Sequence, residues 1–178
     1  MPQRLAVLLA CVLPLLVVTL RAQGVTKETL PGITNFARVE TTIACAGATT
    51  PAAVAGLKQM GYASIINLRQ ANEPGGEIES EAAAAQAAGV NYVHIPFNAA
   101  SPEPAVVDAF LKAVTAQANQ PAFVHCASGN RAAAMWMIKR IQVDKWDAER
   151  ASVEATALGL TSSALKTFVL DYVQAHRQ

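Results

Sequence analysis

Short apolar runs alternate with helical patterns along most of this chain, and this alternation restricts its fold more than any other feature. The runs are rich in β-branched and aromatic residues, as in buried strands, and roughly 10–15 residues of helical periodicity separate them. Strands that alternate with helices form βαβ units, whose strands run parallel and whose helices cover the sheet. The sequence therefore predicts a three-layer α/β domain, with a central, mostly parallel sheet of four to five strands flanked by helices.

Turn residues and helix caps give the predicted element boundaries. The predicted strands are 37–47 (one or two short strands), 62–68, 90–97 and 122–126. The predicted helices are 51–60, 77–88, 103–118, 131–141, 147–158 and 162–175. Residues 23–35 are predicted to be a lead-in with a turn at 31–32. The predicted caps and stops are Thr50, Thr161, Gly61, Gly89 and Gly159.

The first 22 residues have the pattern of a secretory signal. The basic start MPQR precedes the uncharged apolar run LAVLLACVLPLLVVTL at 5–20. Because this run is shorter than the roughly 20 apolar residues of a membrane span, export with cleavage after Ala22 fits best. A retained anchor and a lipoprotein-type cleavage before Cys11 are the alternatives. We expect a single domain over 23–178, exported to a bacterial periplasm without stable membrane insertion.

Composition and charge restrict the partners. Hydrophobic residues make up 52% of the chain and charged ones 15%, as in a globular protein. Loss of residues 1–22 removes two arginines and no acids, which changes the net charge from +1 to −1. No basic patch with interleaved aromatic residues occurs, so no nucleic-acid partner is predicted. The oligomeric state stays open.

A candidate site lies at one edge of the predicted sheet. Ligands of open α/β sheets bind beyond the carboxyl ends of the strands. Three segments reach that edge, namely 69–77, 98–103 and 126–131. The last of these, within VHCASGNRA, joins a buried strand directly to a helix.

The segment from Cys126 to Arg131 has the composition of an anion-binding loop. Gly129 permits a backbone conformation that other residues resist, and successive amides then point inward at a helix N-terminus. Arg131 adds a planar fork of donors for a tetrahedral oxyanion, and these groups together favour a nucleophilic thiolate at Cys126. We therefore predict Cys126 and Arg131 to be catalytic. The predicted anion-binding residues between them are Ala127, Ser128, Gly129 and Asn130.

Structural interpretations of the same residues stay open. Cys126 is also compatible with a small core residue that ends a strand, and Arg131 with the start of a helix. Arg69 is interpreted as a second positive group of the site, or as a helix-capping or surface salt-bridge residue. His125 either orients the loop from behind or is a core histidine. No Cys-x₂-Cys or His-x₃-His spacing occurs, so neither metal nor cofactor is predicted.

The loop resembles the phosphate-binding loop of the cysteine-dependent tyrosine and dual-specificity phosphatases. That family places five residues between its cysteine and arginine, whereas this chain places four between Cys126 and Arg131, as do many rhodanese sulfurtransferases. Over residues 34–160, the segments SIINLRQANEP, AAGVNYVHIPF and PAFVHCASGNRA resemble a bacterial phosphatase-like family that is also found fused to β-lactamase-hydrolase-like domains. Members of that family also have four-residue spacings. The resemblance implies a cysteine-phosphatase-like fold.

The same resemblance implies a reaction in which Cys126 attacks phosphorus while Arg131 holds the phosphate oxygens. The general acid is expected in FNAASPEPAVVD, where Asn98 stands in place of an acid. Glu103 in that segment and Glu73 in the 69–77 loop are the possible acids. Three functions stay open: a hydrolase of phosphorylated small molecules or phosphoproteins, a sulfurtransferase with a Cys126 persulfide, and a non-catalytic phosphate-binding module.

Cys45 is the second cysteine of the predicted domain, and it lies at the end of the strand predicted at IACAG. A position near Cys126 would permit a disulfide that switches activity off in an oxidising compartment. A distant position would make Cys45 an inert buried thiol.

Overall fold

The computed structural model describes residues 24–39 and 41–176. The signal peptide predicted over 1–22 therefore lies outside the described residues. Within these ranges, none of the helices combines the length and the apolar character needed to cross a membrane.

A six-stranded sheet forms the middle layer. Its strands are β1 (Val25–Leu30), β2 (Ile33–Val39), β3 (Ile43–Ala46), β4 (Ser64–Asn67), β5 (Asn91–His94) and β6 (Ala122–His125). Their order across the sheet is β1-β2-β3-β6-β4-β5. The strands from β3 to β5 in this order are parallel, and β1, β2 and β3 pair antiparallel. The predicted α/β class with a mostly parallel sheet is confirmed.

The N-terminal hairpin was not predicted from the sequence. Residues 23–35 were expected to be a lead-in, but β1 and β2 pair from Val25↔Val39 to Leu30↔Ile33 around a turn at Gly32. The lead-in was therefore wrong, and the sheet has six strands rather than four to five. The physical reason is that the exposed Thr34 and Asn35 interrupt the buried side chains of β2, so its sequence lacks the continuous apolar run of a central strand.

In the part of the chain that the structure describes, six α-helices cover the sheet. They are α1 (Val54–Gln59), α2 (Ile78–Ala88), α3 (Pro104–Thr115), α4 (Asn130–Gln142), α5 (Ala148–Leu158) and α6 (Ser163–Ala175). Gly89 and Gly159 end α2 and α5 in the left-handed conformation, as predicted. Thr50 precedes a short 3₁₀ turn without a side-chain cap bond, and Ser162 rather than Thr161 caps α6.

Two hydrophobic clusters place the sheet in the core. Helices α1 and α2 pack together on one face over buried residues such as Ile65 and Phe123. Helix α4 packs with α3, α5 and α6 over the other face, which includes Val124 and Met135. Because β6 lies between β3 and β4 and is buried throughout, the connection from β6 to α4 starts at the centre of the sheet edge. This connection is the predicted anion-binding loop.

Candidate active site

The loop from β6 to α4 meets the two other segments that were predicted at this edge. Arg131, in the first turn of α4, donates from its NH1 nitrogen to the carbonyl of Leu68 (3.0 Å) and to that of Phe97 (2.8 Å). Leu68 directly precedes the 69–77 loop and Phe97 directly precedes 98–103. One buried guanidinium therefore joins all three segments.

The carbonyl groups of the loop are bound by neighbouring segments. The carbonyl of Ala127 accepts from the amide of Ala48 (3.0 Å), and the carbonyl of Ser128 accepts from Nδ2 of Asn35 (3.1 Å). Asn35 has a positive φ of 50°, which asparagine tolerates better than most residues. These bonds turn the loop carbonyls toward β2 and β3. The amides of the same peptide units are consequently left for another acceptor.

The segment after β3 lies directly against the loop. A side chain at Gly47 would place its Cβ in overlap with Oγ1 of Thr34 and 3.2 Å from the carbonyl oxygen of Ala127. Any larger residue at this position would therefore force Thr34 or the loop backbone to shift. The loop has a backbone wall on its β3 side.

The loop carries backbone amides next to the Cys126 sulfur and at the start of a helix. Gly129, with φ 96°, donates its amide to Sγ of Cys126 at 3.1 Å. The first amides of a helix have no acceptor within the helix, and α4 starts immediately after Gly129. Within the described ranges, no hydrogen bond uses the amides of Ala127, Ser128, Asn130 and Arg131. The sulfur and these donors belong to one six-residue turn.

Arg131 is held by Glu73 from the 69–77 loop. Two parallel hydrogen bonds join NH1 to Oε1 (2.5 Å) and NH2 to Oε2 (2.7 Å). Burial alone would lower the pKa of the Arg131 guanidinium, but the hydrogen bonds to Glu73 and the interaction with Cys126 raise it above its ordinary value. Arg131 is thus a permanent positive charge beside the Cys126 sulfur.

Glu73 is placed as the partner of Arg131. Partial burial alone would raise the pKa of Glu73, but hydrogen bonds from Arg131 and from the Gln70 amide lower it below its ordinary value. The side chain, 21% exposed, is therefore ionised and accepts hydrogen bonds with both oxygens. A proton donor has the opposite requirement, so the observed position of Glu73 fits the orientation of Arg131 better than the predicted role as an acid.

Glu103 and Asn98 lie apart from this pairing. Glu103 is exposed and precedes α3, and none of the hydrogen bonds or ion pairs among the described residues joins it to the loop. Oδ1 of Asn98 accepts the amide of Ala100 at 3.0 Å, which forms a local turn. The 98–103 segment therefore presents no carboxylate to Cys126 in this conformation.

Arg69 shapes the 69–77 loop. Its guanidinium donates to the carbonyls of Pro74 (2.5 Å) and Gly75 (2.7 Å), and its Nε lies 3.4 Å from Oε2 of Glu73. Arg69 thus curls the loop so that Glu73 reaches Arg131. The structure brings Arg69 to the site, with its bonds directed to the loop rather than to the space above Cys126.

His125 and Asn130 are oriented away from the sulfur. His125 lies on the α2 face of the sheet, with its ring stacked against Phe123 and Nε2 3.0 Å from Oε1 of Glu81. Oδ1 of Asn130 accepts the amides of Thr161 and Ser162, each at 2.8 Å, and so ties the loop to the start of α6. No group of three or more metal-ligating side chains occurs among the residues that the structure describes.

Two residues near the loop escaped the sequence analysis. Asn35 lay in the supposed lead-in, and its only signal was the tolerance of asparagine for positive φ. Glu81 left a clearer signal, because it shares one face of α2 with Ile78 and Ala85, so an acid stands on the buried side of that helix.

Two cavities flank the loop. The larger, about 840 Å³, lies between the β1–β2 hairpin and the turn before α6, and Ser128 forms part of its wall. The smaller, about 540 Å³, lies between β3 and the 69–77 loop, and Ala127 and Arg69 contribute to it. Ala127 and Ser128 are exposed, whereas Cys126 at the base of the loop is only 1% exposed. The loop therefore presents its outer residues to open space on both sides.

Cys45 is a free buried thiol on β3, in register with Val124 of β6. Burial raises the pKa of the Cys45 thiol far above its ordinary value, and the interaction with Cys126 raises it further. Cys45 therefore has the character of an inert core thiol, although it lies on the strand next to the loop.

A comparison with known protein families agrees with this geometry. Residues 35–143 match the model of the phosphatase-like domain of β-lactamase hydrolase-like proteins. The chain belongs to this family. The resemblance drawn from the sequence is confirmed, and the matched range contains both the loop and Glu73.

Curated relatives share a part of the chain. The β-lactamase hydrolase-like proteins of two Xylella fastidiosa strains are 38% identical over 85 residues, which is 46% of this chain. The aligned segment makes up 19% of those proteins, so the phosphatase-like domain matches about a fifth of their length.

Solved phosphatase structures share the fold. TpbA of P. aeruginosa superposes with a TM-score of 0.63 at 22% identity, over 84% of this chain and 88% of TpbA. The core catalytic domain of the PP-IP phosphatase SIW14 of S. cerevisiae, in complex with citrate, gives a TM-score of 0.66 at 16% identity, over 80% and 87%. A putative phosphatase of Shewanella putrefaciens gives 0.63 at 19%, over 83% and 94%. The cysteine-phosphatase-like fold is therefore confirmed.

Proposed function

We propose that this phosphatase-like domain is a hydrolase of phosphomonoesters that uses Cys126 as its nucleophile. The observation that carries the proposal is the Gly129 amide at 3.1 Å from Sγ of Cys126, within a loop whose carbonyls are bound elsewhere. Membership of a phosphatase-like family supports the same reaction.

Phosphate binding follows from the donors of the loop. The oxygens of a phosphoryl group accept from the loop amides at the start of α4, where the helix dipole also favours negative charge. Arg131 contributes the edge of its guanidinium that Glu73 leaves unused. Glu73 and the carbonyls of Leu68 and Phe97 fix that edge in advance, so little entropy is lost when the substrate binds.

The chemical step is an attack of the Cys126 thiolate on phosphorus. An S–P bond forms, the P–O bond to the leaving group breaks, and the leaving oxygen takes the electron pair. Water then hydrolyses the phosphocysteine and releases inorganic phosphate and the thiolate. Because no carboxylate of 98–103 reaches the loop and Glu73 is ionised, the acceleration of about 10²–10⁴-fold that a general acid supplies is absent. Aryl phosphates, whose phenoxide leaves without a proton, are the preferred substrates.

The expected partners are phosphorylated small molecules or phosphoproteins. A TpbA variant of the same fold was solved in complex with pTyr, and the SIW14 domain with citrate, which is also an anion. A phosphotyrosine-like aryl ester suits a site without a general acid, because its phenoxide leaves without a proton. We further propose that the domain acts after export, in the periplasm, as the apolar run at 5–20 suggests.

Sulfur transfer is the second candidate, and one specific observation favours it. Only four residues separate Cys126 from Arg131, and helix α4 already begins at Asn130, so the loop before it is short. A short loop suits a sulfur atom better than a phosphoryl group. In this reaction the thiolate attacks the outer sulfur of thiosulfate, and sulfite leaves with the electron pair. A nucleophile such as cyanide then removes that sulfur from the Cys126 persulfide. No general acid is required.

A side-by-side assay separates these functions. Wild type, Cys126→Ser and Cys45→Ala as the matched cysteine control are compared on p-nitrophenyl phosphate and on thiosulfate with cyanide. We expect slow nitrophenol release that is lost in Cys126→Ser and retained in Cys45→Ala. Thiocyanate production without nitrophenol release would show that the protein is a sulfurtransferase rather than a hydrolase. Activity that survives in Cys126→Ser would exclude Cys126 as the nucleophile, and phosphate binding without turnover would leave a binding module.

A further inference from the structure

We propose that Glu81 is a positioning residue of this site, which acts through His125 and Asn67 on both loops that meet at Arg131. The inference rests on the proposed phosphate-binding loop, but its test includes a measurement that does not require turnover. Glu81 lies on α2, on the opposite face of the sheet from α4, and it does not contact Cys126.

Glu81 is a buried carboxylate with a polar environment of its own. The residue is 2% exposed, and its Oε2 accepts from Nδ2 of Asn67 (2.7 Å) and from the hydroxyl of Tyr92 (3.1 Å). Nδ2 of Asn67 also donates to the hydroxyl of Tyr92 at 3.0 Å. No arginine or lysine within 24–39 and 41–176 pairs with Glu81.

The first connection runs through His125 to the nucleophile. Oε1 of Glu81 lies 3.0 Å from Nε2 of His125, close enough for an ion pair but without the in-line geometry of a hydrogen bond. Nδ1 of His125 has no partner in the described part of the chain. Among the described residues, Glu81 therefore lies at ion-pair distance from this ring, and His125 directly precedes Cys126.

The second connection runs through Asn67 to the 69–77 loop. While Nδ2 of Asn67 holds Glu81, its Oδ1 accepts the backbone amide of Arg69 at 2.8 Å. Arg69 begins the loop that carries Glu73, and its side chain curls that loop. Displacement of Glu81 would therefore disturb the partner of Arg131 as well as the residue before Cys126.

Stability alone gives no reason for this arrangement. A buried carboxylate without a strong cationic partner costs free energy, and apolar residues of similar volume are often as stable or more so. The position of Glu81 in the first turn of α2 reduces that cost, because the helix dipole favours an anion there. Buried polar atoms without hydrogen-bond partners, as in Glu81 and His125, are rare in native proteins, and a role at a functional site is one of their explanations.

The test compares Glu81→Gln with Glu154→Gln. Glu154 is also a buried carboxylate, but it lies on α5 and binds Trp136 and Arg140, which follow Arg131 on α4 by more than one helical turn. The measurements are the dissociation constant of inorganic phosphate, kcat and KM on p-nitrophenyl phosphate, the amide NMR shifts of residues 127–131, and the unfolding temperature. A double-mutant cycle with His125→Asn shows whether Glu81 acts through that ring.

We expect Glu81→Gln to weaken phosphate binding about tenfold, which corresponds to about 1.4 kcal/mol, and to shift the loop amides. Its effect and that of His125→Asn are expected to be non-additive. Glu154→Gln should lower the unfolding temperature and leave phosphate affinity and the loop amides unchanged. If Glu81→Gln does not fold, Tyr92→Phe, which removes one bond to Glu81, should shift the same amides in the same direction.

Loop amides that stay at their wild-type positions in Glu81→Gln, or in Tyr92→Phe, would overturn the proposal. The same conclusion follows if Glu154→Gln shifts them equally, because the effect would then be general destabilisation. Failure of the wild type to hydrolyse aryl phosphate would instead exclude the proposed function. The amide comparison would still decide the role of Glu81 in that case.

Discussion

At the scale of single residues, the site depends on how one guanidinium divides its donors. NH1 and NH2 of Arg131 bind Glu73 and two backbone carbonyls, and the guanidinium also interacts with Cys126. The Arg131 side chain is 10% exposed, so it keeps this orientation without help from solvent. A carboxylate from another loop thus fixes the cation that the substrate is to meet.

The pair of Glu73 and Arg131 predicts a pH-dependent stability. The folded-state pKa of Glu73 is lowered, so the pair stabilises the fold above the ordinary glutamate pKa of about 4.3. That contribution is lost as the pH falls from there through the lower folded-state value. We expect Glu73→Gln to reduce the free energy of unfolding by roughly 1–3 kcal/mol at pH 7, with the difference between wild type and variant shrinking as the pH falls below about 4.3.

Urea titrations of both proteins at pH 7, 5 and 3 measure this difference. Glu77→Gln, a change of an exposed acid on the same loop, is the control and should leave stability unchanged at each pH. A difference for Glu73→Gln that grows as the pH falls would contradict the sign derived from the pair.

The two cysteines predict selective alkylation. Iodoacetate carries a carboxylate that the loop amides and Arg131 attract, and the Cys126 sulfur lies among them. The thiol of Cys45 is buried and its pKa is raised, so it stays protonated. We expect peptide mass spectrometry of the native protein to find carboxymethyl groups on Cys126 and none on Cys45. Inorganic phosphate should slow the reaction, and equal labelling of both residues would contradict the assignment.

At the scale of elements, three neighbours fix the shape of the loop. Strand β2 binds it through Asn35, the segment after β3 binds it through Ala48, and the start of α6 binds it through Asn130. Each of these bonds uses a polar group that the sheet and helices themselves do not need. The loop is therefore formed by long-range contacts as well as by its own glycine.

The contact of β2 with the loop predicts different effects for two changes at Asn35. Asn35→Gly removes the bond to the Ser128 carbonyl but tolerates φ 50°, whereas Asn35→Ala adds strain in the left-handed region. We expect the alanine variant to lose about 1 kcal/mol more stability than the glycine variant. Thermal unfolding measures the comparison. Equal losses would mean that the backbone conformation of Asn35 adds no strain.

The sequence predicted the elements that local patterns encode. The ends of α2 and α5 were predicted from the glycines that follow these helices, and the junction of β6 with α4 was predicted from the segment VHCASGNRA. The hairpin was missed because β2 is half exposed. The partnership of Glu73 with Arg131 was also missed, because loops 58 residues apart in the chain meet only after the sheet has formed. Pairings of this kind depend on tertiary geometry, which no local pattern records.

At the scale of the whole molecule, α4 connects the site to the core. Nine of its thirteen residues are buried, and it packs with three other helices over the sheet. The first turn of the same helix carries Arg131. The buried face of α4 thus anchors Arg131 to the core of the molecule.

Shortening a buried side chain of α4 is therefore expected to lower the free energy of unfolding by a large amount. Ile138 is fully buried on α4, and Ile138→Ala is expected to cost about 2–5 kcal/mol through lost contacts and a cavity. Val153 on α5 is 68% exposed, so Val153→Ala should change stability by less than about 0.5 kcal/mol. Chemical denaturation of both variants tests this contrast. A small effect of Ile138→Ala would mean that neighbouring side chains collapse into the vacated space.

The tight approach of Gly47 to Ala127 determines in which direction this protein could be remodelled. An extra residue inserted after Gly129, to reach the spacing of the larger phosphatase loops, cannot bulge toward β3, because main chain already fills that side. The added length would have room in the cavity between the β1–β2 hairpin and the turn before α6, which Ser128 and Asn130 already line. Any redesign for a bulkier anion would consequently have to adapt that hairpin together with the insertion.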